Sequence, residues 1–180
     1  MTKRAVAILV MLVGVGIGNG ALAQRRDNLV NFDGGIGVIP VQNVAGLANA
    51  DGTFQDVRRN IVRGVNPGAG PWRIADLKAS VDVDGRIRIA GRGLLLASGN
   101  SIGQNANQSV FATLICEAAA PFVQRSTDAA GVPLERNGDF RIDDTLDSVP
   151  SDCPSPVLLI RTAANGAWFA AGIARVGGND

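Results

Sequence analysis

The sequence predicts a mainly-β protein: a compact antiparallel β-sandwich, immunoglobulin-like or jelly-roll-like, with one short helix near residues 54–63. Three observations carry this expectation. Turns of the form x-Asn/Asp-Gly at Asp84-Gly85, Asn137-Gly138 and Asn165-Gly166 each separate apolar runs and place glycine where a tight hairpin needs positive φ. Residues 75–83 alternate Ala75, Leu77, Ala79, Val81 and Val83 with Asp76, Lys78, Ser80 and Asp82, the period of a half-buried strand. Of the 16 acidic residues 14 are Asp, which favours turns and caps where Glu favours helix interiors.

In chain order, the first segment reads as a cleaved bacterial export signal. Lys3 and Arg4 form a positive start, residues 5–17 an uncharged apolar run, and Ala21-Leu22-Ala23 a small-residue cleavage site. The apolar run is 13 residues long, short of the roughly 20 a spanning helix needs, and no Cys follows it to carry a lipid. The expectation is therefore a signal peptide over residues 1–23 and a single mainly-β domain over residues 24–180, delivered to the periplasm or the medium without a membrane span. Arg25 and Arg26, just beyond the site, fit that reading least well.

Residues 36–41 suggest a short strand broken by Pro40. Residues 53–63 fit a helix better than a strand: Phe54, Val57, Ile61 and Val62 share a face, Thr53 is the cap with Asp56 three residues on, and Gly64 with Pro67 ends it. Residues 65–71 form a turn-rich link. In the first hairpin a three-residue loop, Val83-Asp84-Gly85, pairs Val81 with Ile87, Ala79 with Ile89 and Asp82 with Arg86; a two-residue loop would set apolar against charged side chains. Residues 98–108 form a polar surface loop, and residues 109–117 a strand with Val110, Ala112, Leu114 and Cys116 on one face. The second hairpin would pair Leu134 with Phe140 and Val132 with Ile142. The third joins residues 157–163 to 167–173, both apolar on two faces, as expected of central strands.

Composition removes much chemistry. The 180 residues include no His and no Tyr, so a Ser-His-Asp triad, a Cys-His pair and a His-ligated zinc site are excluded for this single chain. Removing residues 1–23 takes Lys3 and Arg4 with it and leaves 15 basic against 16 acidic side chains, without the basic excess of a nucleic-acid binder. Cys116 and Cys153, an isolated pair in an exported chain, predict one disulfide; their spacing lacks the Cys-x-x-Cys of a redox pair.

The acidic group Asp139, Asp143, Asp144 and Asp147 is the candidate for a calcium site, or for the paired carboxylates of a hydrolase. Its plainer reading is a solvated strand face running into a turn. Asp82-Val83-Asp84-Gly85 resembles the opening of a calcium loop, but the carboxylate expected eleven residues on is Gly93. Lys78 and Ser80 sit beside Asp76 and Asp82, carboxylates that attract an ammonium and work against a Ser-Lys dyad. Arg58, Arg59 and Arg63 are the one local basic concentration, expected on a solvated helix face. Trp72 and Trp168 are expected in the core. The resulting expectation is an exported, non-enzymatic binding or structural module, with no catalytic residues, no cofactor other than a candidate calcium ion, and an envelope or extracellular partner.

Overall fold

Thirteen strands run through residues 28–175, the part of the chain that the computed structural model describes. They are β1 (Asn28–Gly37), β2 (Val41–Ala48), β3 (Phe54–Arg59), β4 (Trp72–Arg73), β5 (Asp76–Asp82), β6 (Arg86–Arg92), β7 (Leu95–Leu96), β8 (Ser109–Ile115), β9 (Arg125–Ser126), β10 (Val132–Pro133), β11 (Phe140–Thr145), β12 (Val157–Thr162) and β13 (Trp168–Ala174). The proposed signal over residues 1–23 lies outside the described residues.

Nine strands make one antiparallel sheet in the order β10-β8-β12-β13-β1-β5-β6-β11, with β9 also on β8. The sheet curls around one core, so the two walls expected of a sandwich are halves of a single hydrogen-bonded sheet. Its ends meet: the Asp147 N–H beyond β11 donates to Ser126 O of β9 at 2.8 Å. Phe32, Leu77, Ile89 and Phe140 from one half and Leu114, Leu158 and Ile160 from the other belong to the same buried cluster. Burying each such side chain contributes about 1.5–3 kcal/mol relative to exposure.

The first hairpin has the expected register, Val81 opposite Ile87 and Ala79 opposite Ile89, with Gly85 at φ 84°. The third also forms, and β12 and β13 occupy central positions in the sheet. The turn at Arg136-Asn137-Gly138 closes as expected, with the Glu135 N–H donating to Asp139 O at 2.9 Å, but its arms then part. Val132 pairs with Val110 of β8, and Ile142 with Ile89 of β6. The arms belong to opposite ends of the sheet, and longer partners on each side outbid the local ladder.

The helix expected near residues 54–63 is instead strand β3, paired with β2. Thr53, which suggested a helix cap, helps close a hairpin tip, while Asp56 lies within β3 opposite Ala45. Asp51 Oδ1 accepts from the Thr53 N–H at 2.9 Å and hydroxyl at 2.6 Å, and the Asn49 N–H donates to Thr53 O at 2.7 Å. Asp and Thr favour such local bonds as readily as helix caps. The Thr53 hydroxyl, followed by its N–H, holds the Asp51 carboxyl below the usual carboxylate range.

Strands β8 and β12 are buried on both faces because loops cover the outer one. Arg63, half-buried, donates from Nη1 to Ile115 O at 3.0 Å and Ser155 O, and from Nη2 to Ser155 Oγ, with its guanidinium 5.6 Å from the Phe122 ring centroid. Arg161 does the same on the neighbouring side. It donates to Gly166 O, Thr113 Oγ1 and Gln124 Oε1 and lies 5.0 Å over Phe111, and burial lowers its pKa. The predicted disulfide, Cys116 to Cys153, fastens the end of β8 to the segment entering β12.

Glu117, next to that disulfide, holds the loop that follows it. Its carboxylate accepts from the Val123 N–H at 3.1 Å and from Arg125 Nη1 at 2.9 Å, and the Val123 bond first, then Arg125, draws its pKa from 4.5 down to about 2. A depressed carboxylate contributes stability above its unfolded pKa and loses it as pH falls through the folded one. The expected result is that wild type loses stability relative to Glu117→Gln between about pH 4.5 and about pH 2, in urea melts across that range. Parallel curves would remove Glu117 as the cause.

Candidate functional site

The outward face of β1, β5, β6 and β11 is polar because core-facing apolar residues alternate with the residues between them along β5, β6, residues 30–33 of β1 and residues 140–143 of β11. Leu77, Ala79, Val81, Ile87, Ile89, Phe140 and Ile142 point to the core, and the residues between them point out. Register builds two rows across the four strands, Asp33–Lys78–Ala90–Arg141 and Asn31–Ser80–Arg88–Asp143. With Arg175 they line an open groove of about 630 Å³.

Most charges in this groove are spoken for. Arg175 pairs with Asp33 at 3.1 Å, and Arg86 with Asp143 at 3.3 Å. Arg88 Nη2 bridges both oxygens of Asp82 at 3.2 and 2.9 Å, which is how Asp82 can be only 2% exposed. Lys78 and Arg141, both exposed, are in no ion pair among the described residues. They flank Ala90 from either side, their backbones two strand spacings or about 9.6 Å apart. Ser80 is on the same face as Lys78, but the hydroxyl makes no hydrogen bond with the amine.

The four Asp residues singled out above are engaged separately. Asp139 Oδ1 accepts from the Gly93 N–H and Oδ2 from Asn137; Asp143 meets Arg86; Asp144 accepts from the N–H groups of Asp128 and Thr145; Asp147 accepts from the Ser148 hydroxyl. Asp143 faces outward, whereas Asp144, opposite Ile87, is on the inward face. No group of three His, Cys, Asp or Glu side chains capable of holding a metal occurs among the described residues. The two carboxylates of the groove, Asp33 and Asp143, hang from strands whose backbones are three spacings or about 14 Å apart, and each is held by its own arginine.

A second feature has no counterpart in the sequence reading. Strands β2 and β3 form a two-stranded ribbon of their own, exposed at nearly every position. Val44 stands opposite Val57 and Ala48 opposite Phe54, and Leu47 at a bulge is 92% exposed. The base is tied down by the Asn60 N–H to Pro40 O at 2.9 Å, Asn60 Nδ2 to Ile39 O at 3.1 Å and Arg59 Nη2 to Pro67 O at 3.1 Å. The basic trio is thereby divided, with Arg58 and Arg59 on opposite faces of the ribbon and Arg63 folded onto the body.

Trp72 and Trp168 are buried as expected, Trp72 stacked on Phe169 at 4.0 Å and Trp168 donating from Nε1 to Asn60 O. Among the described residues no helix is long and apolar enough to cross a membrane. The disulfide is compatible with an oxidising, exported location. In comparisons with family models, curated proteins and solved structures, nothing matches this chain.

Proposed function

We propose that this chain is an exported, non-enzymatic binding module that meets an envelope or extracellular protein through the β2–β3 ribbon. The observation that carries the reading is the ribbon itself: eight residues of β2 and six of β3 contribute almost nothing to the core and hold Val44, Leu47, Phe54 and Val57 toward solvent. A two-stranded ribbon has two unpaired edges, each a template for a partner strand, and an isolated hairpin is marginal in water without something to pack on. The sequence pattern of Lys3 and Arg4 before an apolar run over residues 5–17, the disulfide and the separately engaged carboxylates support the rest of the reading.

The test replaces residues 42–58 by a short glycine-containing turn and, separately, places a photo-crosslinking side chain at position 47. The trimmed protein is expected to melt within about 3 °C of wild type, since few buried contacts are lost. Leu47 is expected to crosslink to a discrete partner in the producing cells, and the same probe at Arg92 is not. Unfolding of the trimmed protein would make the ribbon a structural element, and matching crosslinks from positions 47 and 92 would remove it as the docking surface.

A further inference from the structure

A separate site lies on the opposite feature, the polar groove, and its chemistry follows from counting which charges are already satisfied. We infer that Lys78 and Arg141 hold a phosphate-type dianion, as a free anion or as the end of a phosphomonoester, over Ala90. The groove lining carries four cations, Lys78, Arg88, Arg141 and Arg175, and two anions, Asp33 and Asp143. Salt bridges to Asp82, Asp33 and Arg86 neutralise Arg88, Arg175 and Asp143. What remains is a pair of positive charges, matched in sign and number by a dianion.

Placement favours one ligand group between them over two separate counterions. Lys78 and Arg141 are the cross-strand neighbours of Ala90 on its two sides, so a methyl group is the floor between them. Side chains that begin about 9.6 Å apart and are this long can both close on one tetrahedral oxyanion, lysine as a point charge and arginine as a two-pronged donor. Ser80 and Arg88 stand opposite each other in the adjacent row, where a hydroxyl and the outer edge of the Arg88 guanidinium border the same space. The floor of the groove is a continuously hydrogen-bonded sheet, so the two donors are mounted on a rigid base. A planar carboxylate would use the arginine fork but leave one positive charge unbalanced.

The experiment titrates the full-length protein at low ionic strength with inorganic phosphate, glycerol 3-phosphate and acetate, read by calorimetry. Saturable phosphate binding is expected, with acetate at least tenfold weaker. Lys78→Met and Arg141→Met should each weaken phosphate binding at least tenfold and together abolish it; both positions are exposed, and thermal melts verify the fold. Arg92→Met, on the same sheet face beside Asp76 but outside the groove, should leave it unchanged. Tighter binding of glycerol 3-phosphate assigns the site to a phosphomonoester end, and equal binding assigns it to the free anion. Absence of saturable phosphate binding, or an equal loss in Arg92→Met, overturns the inference, and neither outcome bears on the ribbon.

Discussion

The double variant Cys116→Ala/Cys153→Ala is expected to be less stable than wild type by about 4 kcal/mol, and to melt roughly 10 °C lower. The bond joins residues 37 apart in sequence, so in the unfolded chain it removes the entropy of a loop of that length. In the folded chain it is reinforced rather than isolated. The Ser155 N–H donates to Cys116 O at 3.1 Å, and Arg63 grips Ile115 and Ser155 around it. These bonds survive the substitution, so the variant should retain the wild-type near-ultraviolet spectrum while its melt moves down. Wild type under a thiol reductant should melt with the variant. A domain of this size holds only about 5–15 kcal/mol in total, so the loss is a large share of it. Coincident melts of variant and oxidised wild type would show that the chain does not depend on the bond.

Gly37→Ala is expected to cost about 3 kcal/mol or more. Strand β4 passes directly over the end of β1, and a Cβ on Gly37 would lie 2.0 Å from Trp72 O and 2.8 Å from Arg73 Cα. Those are backbone atoms held by their own bonds, the Trp72 N–H to Val38 O at 3.0 Å and the Val38 N–H to Phe169 O at 2.8 Å. The methyl group can be seated only by lifting β4, which also pulls Trp72 from its stack on Phe169. Gly70→Ala is the control, because nothing lies within 4 Å of its added methyl; it should be neutral or slightly stabilising. Urea melts of the two variants, with the aromatic circular dichroism band followed in parallel, measure the difference. Equal stability of the two would refute the close crossing of β1 and β4.

How much of this was legible in the sequence depended on how far apart the interacting residues lie. The register of the first hairpin follows from the local sequence, since a three-residue loop, unlike a two-residue one, sets Val81 opposite Ile87. The turn at Asn137-Gly138 was equally readable, but where its arms go is decided by β8 and β6, tens of residues away. Residues 53–63 resemble a helix start because Thr53 is as suited to a hairpin tip as to a helix cap, and nothing local selects between them. The Cys116–Cys153 bond was legible from count and spacing alone. By contrast, the alignment of Lys78, Ala90 and Arg141 exists only once β11 pairs with β6, and Arg63 and Arg161 become clamps only when distant carbonyls reach them. The isolation of the ribbon was hidden for the same reason: its residues alternate weakly, and exposure is a property of the assembled sheet.

The placement of β1 also dictates when the fold can be completed. Its two hydrogen-bonded neighbours are β5, about fifty residues on, and β13, the last strand described. Synthesis from the N-terminus presents β1 early, yet one edge of that strand stays unpaired until β13 has been made. The sheet therefore cannot be sealed before its last described strand is available, whatever the order in which the other strands pair.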